Sequence, residues 1–147
     1  MVDICGSYKM NSSNTSKGGW GACLMKTSTM ATLKNGMPST MAQVKIPYYN
    51  YGGSSMLYSD DYMFLPAEKE VFGVRKLSPT GEANALTQYA YYKNGGSTIK
   101  KYNGSAVDWW LRSVFFRNSS SFCIASPSSS AGSGANYAHG VTPCFCV

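Results

Sequence analysis

Val107 to Ser113 reads VDWWLRS, two Trp and a Leu in a row ahead of Arg112 and Ser113. Apolar and aromatic clusters of this length, bounded by turn formers, are strand signals. SFCIAS (Ser121 to Ser126) and PCFCV (Pro143 to Val147) repeat the pattern downstream, separated by Ser-, Gly- and Asn-rich stretches. Trp109, Trp110, Leu111, Phe122, Cys123, Val141, Phe145 and Val147 are apolar at strand-like spacings and are the expected core of this half.

Upstream of VDWWLRS the period is helical. Met30, Leu33, Met37, Met41 and Val44 recur at three- and four-residue steps within Lys26 to Lys45, with Gly36 and Pro38 splitting the stripe into two short helices. IPYYNYGGSS (Ile46 to Ser55) follows as a strand or aromatic loop closed by a Gly pair. In LPAEKEVFG, Pro66 suits a first helical turn, Glu68 and Glu70 complement the positive end of a helix dipole, and Gly73 can close the helix. Ala83 to Lys93 is a third helix candidate, stopped by Asn94, Gly95 and Gly96. Helices first and strands later make an α+β class.

The chain has 147 residues, about one domain's worth, with 44% hydrophobic and 14% charged residues. That is too apolar for a disordered tail, and its mean hydropathy of -0.20 is too polar for a membrane protein. No run approaches about 18 apolar residues, so no membrane insertion is expected. The opening MVDICGSYK lacks the basic flank and apolar run of a secretory signal, so the chain as given carries no targeting signal. The net charge of +6 would suit an anionic partner, but the ten Lys scatter from Lys9 to Lys101 with only Lys100 and Lys101 adjacent, which argues against nucleic acid.

The five cysteines, Cys5, Cys23, Cys123, Cys144 and Cys146, are an odd number, so at least one thiol is free or paired with another chain. Zinc would want a CxxC knuckle in register, and only Cys144 and Cys146 are close, with His139 the sole histidine. Buried reduced thiols are the simpler reading. The tail after Asp108 has no Asp or Glu to ligate calcium. No metal and no cofactor are expected.

A compositional break falls at Ser113. Residues 1–112 hold 10 Lys, 3 Glu, 2 Gln, 8 Met and 3 Trp, whereas residues 113–147 hold none of these five types. At the upstream frequency about eight would be expected. These are the five amino acids that no codon ending in a pyrimidine encodes, and randomising the two adenines of AAC or AAT codons reaches only the other fifteen. The tail uses thirteen of those fifteen. A Ser-rich loop would also shed Lys, Glu and Met, and nine of the 35 tail residues are Ser, so composition alone leaves both readings standing.

WWLRS (Trp109 to Ser113), SFCIAS and GVTPCFCV (Gly140 to Val147), with MNSSNTSKGGW (Met10 to Trp20), FLPAEKEVFG (Phe64 to Gly73) and QYAYYKNG (Gln88 to Gly95) upstream, resemble the family catalogued as domain of unknown function 6273. The resemblance covers nearly the whole chain, with departures at Val114, commonly Pro, and Thr142, commonly Ala. It implies a C-type-lectin-like fold, short helices on a small antiparallel sheet with long loops, in a single domain over residues 1–147. Many members are similar to the variable proteins of diversity-generating retroelements, in which error-prone copying at template adenines rewrites the 3' end of the gene. On that resemblance residues 1–112 are scaffold and 113–147 a variable region. A ligand- or receptor-binding display protein on a phage tail or bacterial surface is implied, its partner a protein or glycan on a target cell, with oligomerisation left open.

The expected contact residues lie between the core anchors: Val114, Phe115, Phe116, Arg117, Ser120, Ser121, Ile124, Ser126, Ser128, Ser130, Gly132, Gly134, Tyr137 and His139. A structure that buried most of them would contradict a display site. Phe115, Phe116 and Arg117 are the expected hot spot, because aromatics bury large area at small entropic cost and Arg adds directed donors. Adjacent strand residues face opposite ways, so at most one of the two Phe should be buried; Tyr137 and His139 should share a face above a Ser/Gly floor. Arg112 follows two Trp, where a bare guanidinium is costly without a carboxylate. Asp108, Glu68 and Glu70 are the candidate partners, unless Arg112 snorkels to solvent over a Trp face. No enzymatic role is expected, since His139 has no Ser or Cys partner in a recognised nucleophile motif. The rival is a catalyst akin to the formylglycine-generating enzymes, which share a lectin-like fold and a cysteine pair that Cys144 and Cys146 could imitate.

Overall fold

The computed structural model describes residues 7–10, 40–127 and 129–147. WWLRSV forms β6 (Trp109–Val114) and SFCIAS forms β7 (Ser121–Ser126), the two central strands of a five-stranded sheet. The edge strand β8 (Ser129–Gly134) pairs antiparallel with β7 along its whole length. On the other side β9 (His139–Gly140) runs parallel to β6 and antiparallel to β1 (Ser7–Tyr8), giving the order β1-β9-β6-β7-β8. Two antiparallel hairpins complete the strands among the described residues: β2 (Val44–Tyr48) with β3 (Leu57–Asp61), and β4 (Lys100–Tyr102) with β5 (Ser105–Val107). Among the described residues the helices are short: α1 (Glu68–Phe72), α2 (Thr80–Ala85) and α3 (Ala90–Lys93). The class is α+β.

Every residue of β6 and five of six in β7 are buried, because both sheet faces are covered. One face carries Trp110, Val114, Phe122 and Ile124 against Met10, Met63, Leu65 and Val141. The other carries Trp109, Leu111, Cys123 and Ala125 against Val71 of α1 and Tyr92 of α3. Burying one such aliphatic or Phe side chain is worth about 1.5–3 kcal/mol. β6 shifts register against β7 between Trp110 and Val114, and this bulge turns Arg112 and Ser113 toward α1.

Several expectations are corrected here. Residues 26–39 of the expected Lys26 to Lys45 helices lie outside the described residues, but the C-terminal end is not helical. Val44 and Lys45 open β2, where buried Ile46 and Tyr48 alternate with more exposed neighbours and the backbone pairs with β3. Ala83 to Lys93 is not one helix: α2 stops at Leu86, and Tyr89 donates its N–H to the Glu70 carbonyl (2.9 Å) while Gln88 Nε2 donates to Val71 (3.0 Å). Those bonds to the end of α1 hold residues 87–89 out of helical geometry. PCFCV forms no strand, only isolated bridges from Cys144 to Phe64 and from Cys146 to Ala42. Val147 lies beyond the last bridge, 77% exposed rather than core, and Phe145 is half-buried against the Trp110 cluster. The LPAEKEVFG helix forms, closed by Gly73 at φ 73 in the left-handed region that favours glycine.

Candidate functional site

Six consecutive residues at the end of β6 divide between two kinds of environment. Arg112 is 2% exposed, and its guanidinium grips Glu70 through two bonds, Nη1 to Oε2 (2.6 Å) and Nη2 to Oε1 (2.7 Å). Nη1 also donates to the carbonyl of Leu65 (2.8 Å) and Nε to that of Pro47 (3.0 Å). Of the candidate partners Glu70 is the one used, and the snorkelling alternative is excluded. Burial works against the guanidinium's charge, but Glu70 more than offsets it and holds the group protonated. Glu70 also accepts the N–H of Ala67 (2.8 Å), so one carboxylate caps α1 and pins β6.

Ser113 accepts the N–H of Glu68 (2.8 Å) and donates to Glu82 Oε2 (2.8 Å). Glu68, fully buried, accepts the N–H groups of Lys76, Leu77 and Ser78 at 2.9–3.1 Å and so shapes the loop after α1. Burial opposes ionisation of Glu68, but bonds from Ser130 and from the Ser78 and Leu77 backbone prevail and leave its pKa below the ordinary value. Glu82 has fewer donors, and burial pushes its pKa up to about 7.

From Phe116 to Ser120 the side chains turn outward while main-chain bonds hold the segment. Phe115 donates its N–H to the Ser121 carbonyl (3.0 Å), Phe116 to Leu77 (2.9 Å) and Ser121 to Asn118 (3.2 Å), and Asn118 Oδ1 accepts from Ser120 N–H (2.8 Å). Phe116 is exposed at 37%, with the guanidiniums of Arg117 and Arg75 over its ring at 5.0 and 5.3 Å from the centroid. Phe115 is half-buried, edge-on to Phe116 and lying across Gly132, where an added Cβ would sit 2.9 Å from the ring. One exposed and one half-buried Phe agrees with the alternation argument, although both residues lie just past the strand.

The expected contact residues therefore sort into three groups. Phe116, Arg117, Ser120, Gly132 and Tyr137 are exposed, and Phe115, Ser126, Ser130, Gly134 and His139 are half-buried. Val114, Ser121 and Ile124 are buried and cannot meet a ligand: Val114 and Ile124 pack in the Trp110 cluster, and Ser121 sits opposite Gly134 inside the β7–β8 pairing. Ser128 lies outside the described residues. Ser130 also departs from the expectation, since its hydroxyl bonds inward to Glu68. Tyr137 and His139 do not share a face. Residues 134–137 form a turn, closed by Tyr137 N–H to Gly134 (3.0 Å), that leaves Tyr137 62% exposed, while His139 meets the Trp110 ring edge-on at 4.7 Å.

His139 does have a hydroxyl neighbour, with Ser133 Oγ 2.7 Å from Nε2, a contact that only the turn between β8 and β9 creates. Burial lowers the His139 pKa, with Asp108 opposing, so the neutral imidazole facing Ser133 is favoured. A cleft of about 440 Å³ lies beside it, lined by Tyr102, Val107, Asp108 and His139. A second, of about 450 Å³, opens beside Phe116, between Arg75, the Gly52–Ser54 turn and α2. Arg75, Thr80 and Asn84 were missed because they lie in an unremarkable stretch more than thirty residues before Phe116, and no spacing rule links them. Among the described residues no group of three or more His, Cys, Asp or Glu could hold a metal ion. Cys123 and Cys144 are free and burial disfavours both thiolates, pushing Cys144 up to about 12; Cys146 is free and exposed. Cys5 and Cys23 lie outside the described residues. No helix among the described residues is long and apolar enough to cross a membrane.

The family described as Domain of unknown function (DUF6273) matches residues 3–147. The chain belongs to that family. No curated protein and no solved structure matches it. Within this DUF6273 protein the Arg112–Glu70 and Ser113–Glu82 bonds join WWLRS to FLPAEKEVFG and to the segment after it, giving those stretches one shared structural role.

Proposed function

We propose that the chain is a non-enzymatic ligand- or receptor-binding display protein with a C-type-lectin-like fold, its C-terminal surface diversified by a retroelement. On this reading it sits on a phage tail or bacterial surface and engages a protein or glycan on a target cell. The observation that carries the reading is the way residues 115–121 are held. Main-chain bonds to Leu77, Ser121 and Asn118, with Asn118 Oδ1 accepting from the Ser120 N–H, fix the backbone without reference to the side chains of Phe116, Arg117 and Ser120, which project into solvent. A surface built so can change its side chains and keep its shape. The absence of Lys, Glu, Gln, Met and Trp from residue 113 onward supports the same reading. The contact set narrows to Phe115, Phe116, Arg117, Ser120, Gly132 and Tyr137, with Val114, Ser121, Ile124 and Ser130 assigned to the scaffold.

Sequencing the last 35 codons of this locus across many individuals of its source population, beside any homologous repeat nearby, tests the reading. Substitutions confined to adenines of the repeat and concentrated at the narrowed set are expected. An invariant tail, or changes spread equally over Trp110-cluster positions such as Phe122 and Ile124, would overturn it.

A further inference from the structure

The cleft beside His139 lies where the short parallel strand β9 joins the sheet. Gly140 donates its N–H to the Asp108 carbonyl (2.9 Å), and β9 pairs with β6 at Trp109 and Gly140, so the segments carrying Asp108 and His139 are tied together at this end. The β4–β5 hairpin adds Tyr102, Ala106 and Val107 to the lining. The charge in this lining is one-sided. Asp108 is the sole acidic residue from Ala83 to Val147, is half-buried, and has no ion-pair partner among the described residues. Around it stand the alkyl groups of Ala106, Val107 and Ala138 and the side chain of Tyr102, a residue 44% exposed. His139 does not neutralise it: burial disfavours the cationic ring, which is held by Ser133 Oγ at Nε2 (2.7 Å) and edge-on by Trp110 at 4.7 Å. Nor do the lysines of β4. Lys100 is 4% exposed, with Nζ over the Tyr91 and Tyr92 rings at 5.5 and 6.0 Å, and Lys101 precedes Tyr102, so their side chains leave the strand on opposite faces.

A carboxylate partly withdrawn from water without a counter-ion carries a cost that an arriving cation removes. The cleft's volume of about 440 Å³ falls within the roughly 300–1,000 Å³ of sites that take small ligands. A primary ammonium is a compact charge that one carboxylate can meet and an aromatic ring can support, whereas a guanidinium would bring five donors to alanine and valine walls poor in acceptors.

We propose that this cleft takes a lysine side chain presented by a protein partner, its ammonium paired with Asp108 and lying against Tyr102, its alkyl stem against Ala106, Val107 and Ala138. Asp108 precedes the compositional break and His139 follows it, so the site joins a fixed anchor to the diversified tail. That division rests on the display reading; lysine capture itself does not.

The test is an amide chemical-shift titration of the full chain, at low ionic strength and about pH 7.5 where an ordinary histidine is neutral. The probes are Nα-acetyl-lysine methylamide, its Nε-acetylated form, the arginine counterpart and D-glucosamine. The lysine compound is expected to shift the amides of residues 102, 106–108 and 138–140 and to bind about tenfold tighter than the acetylated form, the worth of one hydrogen bond to a charged group. Asp108→Asn keeps the shape and removes the charge; it should abolish that difference and leave the urea midpoint unchanged. Tyr102→Leu should weaken the lysine compound about threefold, the worth of a cation–π contact at an exposed site. Acetylated lysine binding equally, arginine or glucosamine binding as tightly as lysine, shifts confined to residues outside the cleft, or no response to either variant each overturns the inference. Should Asp108→Asn lower the urea midpoint, the comparison of acetylated and free lysine in the parent chain decides. A tail that varies across the population with no lysine binding sinks this proposal alone. Lysine binding with an invariant tail sinks the display reading alone.

Discussion

Arg112 and Phe116 stand four residues apart and are held by opposite means. Arg112 is fixed by what its side chain is, a planar fork that fits Glu70 and two carbonyls in a dry interior. Phe116 is fixed by its main chain, and its ring meets cationic side chains at the protein surface. A chain that must keep its fold while altering its surface needs this division: identity-dependent contacts inside, identity-independent ones where partners are met.

The comparison breaks hardest at the buried pair. Glu70→Gln leaves the Arg112 charge uncompensated and should cost about 3–5 kcal/mol, read as a lowered urea midpoint. Replacing both partners, Arg112→Met with Glu70→Leu, should recover a large part of that loss.

The Ser113 side of the interior adds a pH signature. Glu82 has a folded pKa of about 7 against an ordinary 4.5, so the native state binds this proton more tightly. Below about 4.5 both states are protonated and nothing is lost; between 4.5 and 7 the unfolded chain ionises first and stability falls as pH rises; above 7 the loss is complete, about 3 kcal/mol. Glu82→Gln keeps an acceptor for Ser113 and should flatten that slope, leaving the variant more stable than the parent at pH 8. An unchanged pH profile would remove Glu82 from the explanation.

At the border between the regions the effect shrinks. Gly132→Ala drives a Cβ toward the Phe115 ring and should cost about 1 kcal/mol, and the cost should vanish in a Phe115→Ala background because the obstacle is a side chain and not backbone. Persistence of the penalty in the double variant would mean the β8 backbone itself is constrained.

Much of the interior was legible in the sequence. WWLRS and SFCIAS read as strands, LPAEKEVFG as a short helix closed by Gly73, and Glu70 stood among the partners foreseen for Arg112. What escaped was set by contacts between distant segments. Gln88 and Tyr89 bond back to α1 and cut an apparently continuous helix in two. Both faces of β6 and β7 are covered, which buries Val114, Ser121 and Ile124 where alternation alone predicts an outward face, and the turn at residues 134–137 parts Tyr137 from His139. The cleft wall from Arg75 to Asn84 carried no local signal, since its relation to Phe116 exists only after the chain has folded.

The central claim is that the outward segment can change without disturbing the fold, and thermal unfolding of two libraries tests it directly. One randomises Phe115, Phe116, Arg117, Ser120 and Tyr137 over the fifteen residue types reachable from adenine-mutated AAC and AAT codons; the other does the same at Trp110, Arg112, Ser113, Val114 and Ile124. Most members of the first should unfold cooperatively within about 3 °C of the parent, a shift of roughly 1 kcal/mol, and few members of the second should fold at all. Equal losses in the two libraries would contradict a surface built to vary.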